Sequence, residues 1–235
     1  MTAKVILAGF SLGLALLFGI QQLRSNQEKK ERMRRGRVPV AVEDAQSKNQ
    51  REVSLPASFP YYASVKDLDD ALANYTTVIA KPVLGHSQMN AESKEIETWY
   101  KLEIIDFLSQ PKNGKCPDCS FAKDVPSELQ PIQANEIVVV KNTGSITLEG
   151  IKVTTSDQAF PDFTMNQKYL LFLSLDSATR VGSVELGPAG VSAIEPDGQI
   201  APVSEKSNTL TKQLEERYGN VDEVKRQLRF RRFPQ

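Results

Sequence analysis

The first apolar stretch of the chain covers residues 5–20 and carries no charged side chain. A helix needs at least about 17 predominantly apolar residues to cross a bilayer. Ala3 and the Gln21–Gln22 pair extend the stretch to that length, and Lys4 lies at its start. A cleaved signal peptide is the alternative, but no Ala-x-Ala cleavage site follows. The pattern therefore predicts residues 1–22 as a transmembrane anchor or an uncleaved signal.

Further along the chain, the spacing of apolar residues indicates one helix followed by a series of strands. Ser64, with Asp67 three residues later, predicts an N-capped helix over residues 65–73. The period then changes to two, and β-branched residues become frequent, which is typical of strands. The predicted strands are residues 76–83, 98–108, 136–141, 146–154, 168–175, 191–194 and 199–203.

Two local signals refine the arrangement of these strands. The apolar register shifts at Ile105 within the strand 98–108, which predicts a β-bulge. Asp197-Gly198 lies between two apolar runs, which predicts a hairpin turn. One helix and about six or seven short strands are typical of a small barrel. We therefore predict a mainly β (α+β) fold: an N-terminal transmembrane helix, then a small OB-like antiparallel barrel with one N-terminal helix and C-terminal helices.

Composition divides the chain into four parts. Residues 23–58 contain few large apolar side chains, and such a composition cannot bury enough area to offset the entropy of ordering. We predict a polar, partly disordered stalk there, followed by the β-barrel domain at 59–204. Residues 205–235 are predicted as a helical basic tail, in which Gly219 ends one helix and Asn220 caps the next.

Charge is strongly segregated, although the formal net charge of the whole chain is zero. Residues 1–63 carry 10 basic and 5 acidic side chains, residues 64–204 carry 11 and 19, and residues 205–235 carry 8 and 5. An acidic body repels phosphate backbones, so we expect no nucleic acid as a partner.

Four segments of the chain share one pattern: residues 74–83, 98–107, 160–173 and 190–200. Together they resemble exported bacterial domains of unknown function, whose barrel is related to the OB-like fold of tissue metalloproteinase inhibitors. The chain departs from the pattern at Asn166-Gln167, where such domains often have Gly-Glu, and at the long insert 109–135. The resemblance implies a barrel outside the cytoplasm, and it carries over no catalytic residue.

The orientation of the predicted membrane protein is ambiguous in the sequence. Seven basic residues between positions 24 and 37 follow the apolar stretch, and only Lys4 and the amino terminus precede it. The positive-inside rule then places the body in the cytoplasm. The resemblance implies the opposite side, and we predict a single-pass membrane protein whose domain faces outward.

Cys116 and Cys119 form a CxxC pair, which is the most specific local motif. Such a pair is typical of a redox dithiol, half of a zinc site or a local disulfide. A zinc site needs four ligands, and His86 is the only histidine. The pair follows a polar loop instead of opening a helix beside a βαβ unit. A disulfide or inert thiols, a shared metal site and redox work all remain open.

The other polar candidates fit structural roles better than catalytic or metal-binding roles. His86 has no Gly-x-Ser-x-Gly elbow to serve as a nucleophile partner. The predicted start of a helix contains Asp67, Asp69 and Asp70, and the helix dipole favours acidic residues there. A predicted solvated loop contains Glu92, Glu95 and Glu97. Trp99 and Tyr100 lie at core spacing in a strand.

The chain ends in a segment where basic and aromatic residues alternate. It contains Arg229, Phe230, Arg231, Arg232 and Phe233. A solvated, frayed terminus is one interpretation. Contact with anionic lipid or an acidic partner is the other.

These patterns favour a membrane-anchored, non-catalytic binding or assembly module without a cofactor. Its expected partners are the lipid bilayer, through residues 4–22, and another protein. One alternative is a membrane-tethered thiol/disulfide protein that uses Cys116 and Cys119. The other is an adaptor on the cytoplasmic side.

Overall fold

A computed structural model describes residues 30–57, 62–92, 94–111, 123–204 and 208–229. It contains ten strands and four helices with complete bounds. The helices are α1 (Arg37–Ser47), α2 (Leu68–Asn74), α3 (Asn208–Tyr218) and α4 (Val221–Arg229). The strands are β1 (Glu52–Pro56), β2 (Thr76–Met89), β3 (Ile96–Ser109), β4 (Glu136–Lys141), β5 (Gly144–Leu148), β6 (Ile151–Ser156), β7 (Lys168–Asp176), β8 (Val181–Ser183), β9 (Val191–Ile194) and β10 (Ile200–Pro202).

Seven of the strands form one sheet in the order β10-β9-β7-β2-β3-β4-β8. Strand β7 pairs with both β2 and β8, so β2, β3, β4, β8 and β7 follow one another in a ring of paired strands. Strands β4 and β8 are parallel, and the other pairs of this sheet are antiparallel. The remaining strands form a second sheet in the order β1-β6-β5, in which β1 runs parallel to β6.

The alternation of side chains along β2 and β7 divides the larger core into two clusters. Ile79 and Phe172 face the helices, where they pack with apolar residues of α2, α3 and α4. Val78 and Leu171 point to the opposite side, where they meet Tyr100 and other residues of β3 and β4. Both strands are buried on two faces, because successive side chains of a strand point in opposite directions.

The predicted fold class is wrong. Residues 30–57, 62–92, 94–111, 123–204 and 208–229 form a mixed α/β structure with two sheets and two parallel strand pairs. An antiparallel OB-like barrel with one N-terminal helix does not describe it. Parallel pairs join strands that are distant in sequence, and the hydrophobic period of a strand contains no information about its partner.

The prediction of a single-pass membrane protein is also corrected. Within the described ranges, every helix is too short or too polar to cross a bilayer. The segment predicted as the anchor, residues 1–22, lies outside the described residues. The predicted membrane localisation and the predicted bilayer contact of residues 4–22 therefore find no support in the described helices.

Residues 37–56, predicted as part of a stalk, are ordered. Helix α1 buries Val38, Val42 and Ala45 against Ile151 and Val153 of β6. These three positions are spaced four and three residues apart, so they lie on one face of the helix. Strand β1 then pairs with β6. The polar residues around this narrow apolar face are the solvent side of a packed helix.

Two local predictions, the bulge at Ile105 and the turn at Asp197-Gly198, are confirmed. The pairing of β2 and β3 passes from Ile79–Asp106 to Ala80–Ile104, so Ile105 bulges as expected. Asp197-Gly198 joins β9 to β10, and Gly198 has a φ of 85°.

The segment 146–154, predicted as one strand, is a hairpin that turns at Glu149-Gly150. Both turn residues have positive φ, 51° and 78°, as a type I′ turn requires. Helix α2 is capped by Asp67, whose carboxylate accepts a bond from the Asp70 N–H at 2.9 Å. Helix α2 therefore begins at Leu68, three residues later than predicted from Ser64.

Candidate functional site

A cavity of about 430 Å³ lies beside the start of β3 and the end of β4. We call it the cleft. Its wall includes three aromatic side chains, Tyr62, Trp99 and Phe160. It also includes four ionisable side chains, Glu97, Lys141, Asp157 and Glu185. These residues come from two strands and three connecting segments, so the fold assembles the cleft from distant parts of the chain.

Glu97 is buried at the base of the cleft, with 6% of its surface exposed. Its Oε1 accepts hydrogen bonds from Gln88 Nε2 at 2.9 Å and Trp99 Nε1 at 2.7 Å. Its Oε2 accepts one from Asn90 Nδ2 at 2.9 Å. Gln88 is the direct cross-strand partner of Glu97 in β2, and Trp99 lies two residues along the same face of β3. Three neutral donors therefore hold the carboxylate in place.

Lys141 is the last residue of β4, and its side chain is only 3% exposed. Its Nζ donates to the backbone oxygens of Phe160 at 2.9 Å and Pro161 at 2.6 Å, and it lies 3.3 Å from Asp162 Oδ1. The same nitrogen is 4.0 Å from the centroid of the Phe160 ring. Burial lowers the pKa of Lys141 to about 8, against the opposing effect of Asp162. The ammonium group thus fastens the segment 157–163 to the end of β4.

Asp157 and Tyr62 form a hydrogen-bonded pair in the lining of the cleft. Tyr62 donates its hydroxyl to Asp157 Oδ2 at 2.9 Å, and the Ala159 N–H donates to Asp157 Oδ1 at 2.8 Å. Burial, and secondarily the bond to Asp157, raises the pKa of Tyr62 far above its ordinary value. The phenol therefore stays protonated and acts as a hydrogen-bond donor.

The charges of the cleft are unequal. Among the described residues, only neutral donors give hydrogen bonds to the carboxylates of Glu97 and Asp157. The half-buried side chain of Glu185 accepts no hydrogen bond from any residue that the structure describes. The ammonium of Lys141 is already engaged by Asp162 and two carbonyl groups. Lys141 also attracts Asp157 electrostatically, so the described lining carries three carboxylates against one ammonium group.

The carboxylates do not converge on one point. In the described part of the chain, no group of three or more His, Cys, Asp or Glu side chains is placed to hold a metal ion. The arrangement is instead a rigid polar wall with aromatic faces. Its chemistry is the acceptance of hydrogen bonds and the attraction of positive charge.

The site residues predicted from the sequence lie apart from this cleft or outside the described residues. Cys116 and Cys119 lie outside them, and so do Phe230, Arg231, Arg232 and Phe233. Arg229 is the last residue of α4. The proposed roles of the CxxC pair and of the basic tail stay predictions.

Sequence reasoning missed most of the cleft. It assigned Glu97 to a solvated loop, but β3 begins at Ile96 and Glu97 is buried. The alternation that identified Trp99 as a core residue also includes Glu97, because the two side chains point to the same side of β3. That shared register is the signal that could have identified the carboxylate. Trp99 is fully buried, as predicted.

No family model, curated protein or solved structure matches the chain.

Proposed function

We propose that this protein is a non-catalytic binding module and that the cleft is its ligand site. The observation that carries this proposal is the cavity of about 430 Å³ whose lining combines three aromatic side chains with several polar groups. Ligand sites are typically clefts of about 300–1,000 Å³ in which a few fixed polar groups orient the ligand. The volume and the lining of this cleft meet both criteria.

The hydrogen bonds of the cleft support binding in preference to catalysis. Glu97 is held by three donors, and the Lys141 ammonium is held by acceptors of the segment 157–163. Such groups are preorganised, so a ligand need not order them on binding. Tyr62 is a poor general base, because its pKa is raised and its proton already points at Asp157. These groups serve better as fixed contacts than as proton carriers.

The single tryptophan makes the proposal directly testable. Trp99 is the only tryptophan of the chain, and it lines the cleft. Its fluorescence and its indole N–H resonance therefore report on this part of the protein, without a contribution from a second tryptophan. We expect members of a small-molecule fragment library to shift both signals of the full-length protein in a saturable manner.

A matched pair of variants locates the effect. Asn142 is exposed and lines the cleft next to Lys141, whereas the exposed Asn135 precedes the other end of β4. Asn142→Phe should block the cleft and abolish the saturable shifts, and Asn135→Phe should leave them unchanged. A library without any saturable shift of Trp99, or shifts that survive Asn142→Phe, would contradict the proposed function.

A further inference from the structure

The unbalanced charges of the cleft indicate which ligands it admits. Its wall contains three carboxylates, those of Glu97, Asp157 and Glu185, and one ammonium group, that of Lys141, which attracts Asp157. The net charge of the described lining is therefore negative. A cleft of net negative charge attracts a positively charged ligand and repels an anion.

The spacing of these carboxylates favours an organic cation over a metal ion. A metal ion needs several ligands on one small sphere, and no acidic group in the described ranges provides that geometry. An ammonium group on a flexible carbon chain needs only one carboxylate at each contact. A chain with two such groups can reach two separate carboxylates of the wall.

Lys141 shows how this cleft accommodates an ammonium group. Its Nζ lies 4.0 Å from the Phe160 ring centroid, and backbone oxygens accept two of its hydrogen bonds. Attraction to a ring face adds to the binding of a cation. Tyr62, which is only half-buried, supplies a second aromatic side chain to the lining, beside the Asp157 carboxylate that remains open to further donors.

We infer that the cleft binds a small aliphatic amine, with a protonated primary amino group next to Asp157 and Glu185. This inference rests on the proposed function, because it names the ligand class of the same site. Asp157 Oδ1 and Oδ2 each accept one described hydrogen bond and keep capacity for another. Glu185 contributes a second carboxylate in the same lining.

The test compares three linear molecules of the same length that differ in charge. Butane-1,4-diamine, 4-aminobutan-1-ol and butane-1,4-diol are titrated into the full-length protein at pH 7 and low salt. Trp99 fluorescence reports the binding, and calorimetry confirms it. We expect the diamine to bind about tenfold more tightly than the amino alcohol, and the diol not to saturate. Binding of the diamine should weaken as salt is added.

Two charge-removing variants identify the contact. Glu185→Gln removes a carboxylate of the cleft and should raise the Kd of the diamine about fivefold or more. Glu216→Gln removes an exposed carboxylate of α3 and should leave this Kd unchanged. Equal effects of the two variants would mean nonspecific attraction to the acidic body, and would overturn the inference.

The outcomes separate this inference from the proposed function. If the diol binds as well as the diamine, and Asn142→Phe abolishes both, the ligand class is wrong and the cleft remains a binding site. If neither the amines nor any member of the fragment library shifts Trp99, both proposals fail. An ordered gain in affinity from diol to amino alcohol to diamine, lost in Glu185→Gln, supports both.

Discussion

The two sides of the cleft handle buried charge in opposite ways. On one side the Glu97 carboxylate accepts hydrogen bonds from three neutral donors. On the other side the Lys141 ammonium meets carbonyl oxygens, an aromatic ring and Asp162. The first arrangement fixes a negative charge without neutralising it, and the second uses a positive charge to hold a loop. With Asp157 and Glu185, the lining that the structure describes has a net negative charge.

Replacing Glu97 should have the largest effect on stability. Glu97→Met removes the acceptor that the indole N–H of Trp99 and the amides of Gln88 and Asn90 use. Each buried donor that loses a charged acceptor lowers the free energy of unfolding by about 1–3 kcal/mol. Gln88 is partly exposed, so its contribution to this loss is smaller. We expect a loss of about 3 kcal/mol in the free energy of unfolding, measured with urea. Glu216→Met on the exposed face of α3 is the matched control and should change it by less than about 0.5 kcal/mol.

Replacing Lys141 in the same way should have a smaller effect at pH 7. Lys141→Met also removes hydrogen bonds, but it relieves the desolvation of the ammonium that lowers the pKa of Lys141 to about 8. The two contributions oppose each other, and we expect a net loss of about 1–2 kcal/mol in urea unfolding. Lys212→Met, on an exposed position of α3, is the control. A loss larger than that of Glu97→Met would contradict the comparison of the two sides.

Raising the pH should stabilise the wild type relative to Lys141→Met. The pKa of Lys141 is about 8 in the folded protein and about 10.4 in an unfolded chain. Between these values the unfolded chain binds more protons, so the free energy of unfolding rises with pH. The wild type should therefore gain about 2 kcal/mol over the variant between pH 7 and pH 9.5. An unchanged difference in urea unfolding would show that the Lys141 ammonium is not penalised by burial.

Removing the hydroxyl of Tyr62 should have the smallest effect. Tyr62→Phe deletes the bond to Asp157 Oδ2 but keeps the ring, and Tyr62 is only half-buried. We expect a loss of about 0.5 kcal/mol in urea unfolding. Diamine binding should persist in this variant, because the carboxylate of Asp157 remains. Abolished binding with unchanged stability would place the ligand on Tyr62 and not on Asp157.

The parts of the fold that sequence could predict are those set by neighbours in the chain. Alternation located β2, β3, β4 and β7, and the shift at Ile105 located the bulge. Asn220 caps α4 as expected, accepting a bond from the Glu223 N–H at 3.0 Å. Each of these features depends on residues within a few positions of one another.

The parts that sequence missed depend on distant partners. The parallel pairs β4–β8 and β1–β6 join segments that are far apart in the chain. Helix α1 was overlooked because its apolar face is narrow, and only its packing on β6 makes that face visible. The cleft follows the same rule, since Tyr62 and Asp157 are 95 residues apart.

The most direct test of the cleft as a cation site is a proximity measurement on its single tryptophan. In the full-length protein labelled with ¹⁵N, butane-1,4-diamine is added, and nuclear Overhauser effects are recorded between its methylene protons and the Trp99 indole N–H. We expect such effects in the wild type and in Asn135→Phe, and their loss in Asn142→Phe. A saturable affinity for the diamine without any such effect at Trp99, or effects that persist in Asn142→Phe, would contradict the assignment of the cleft as a cation site.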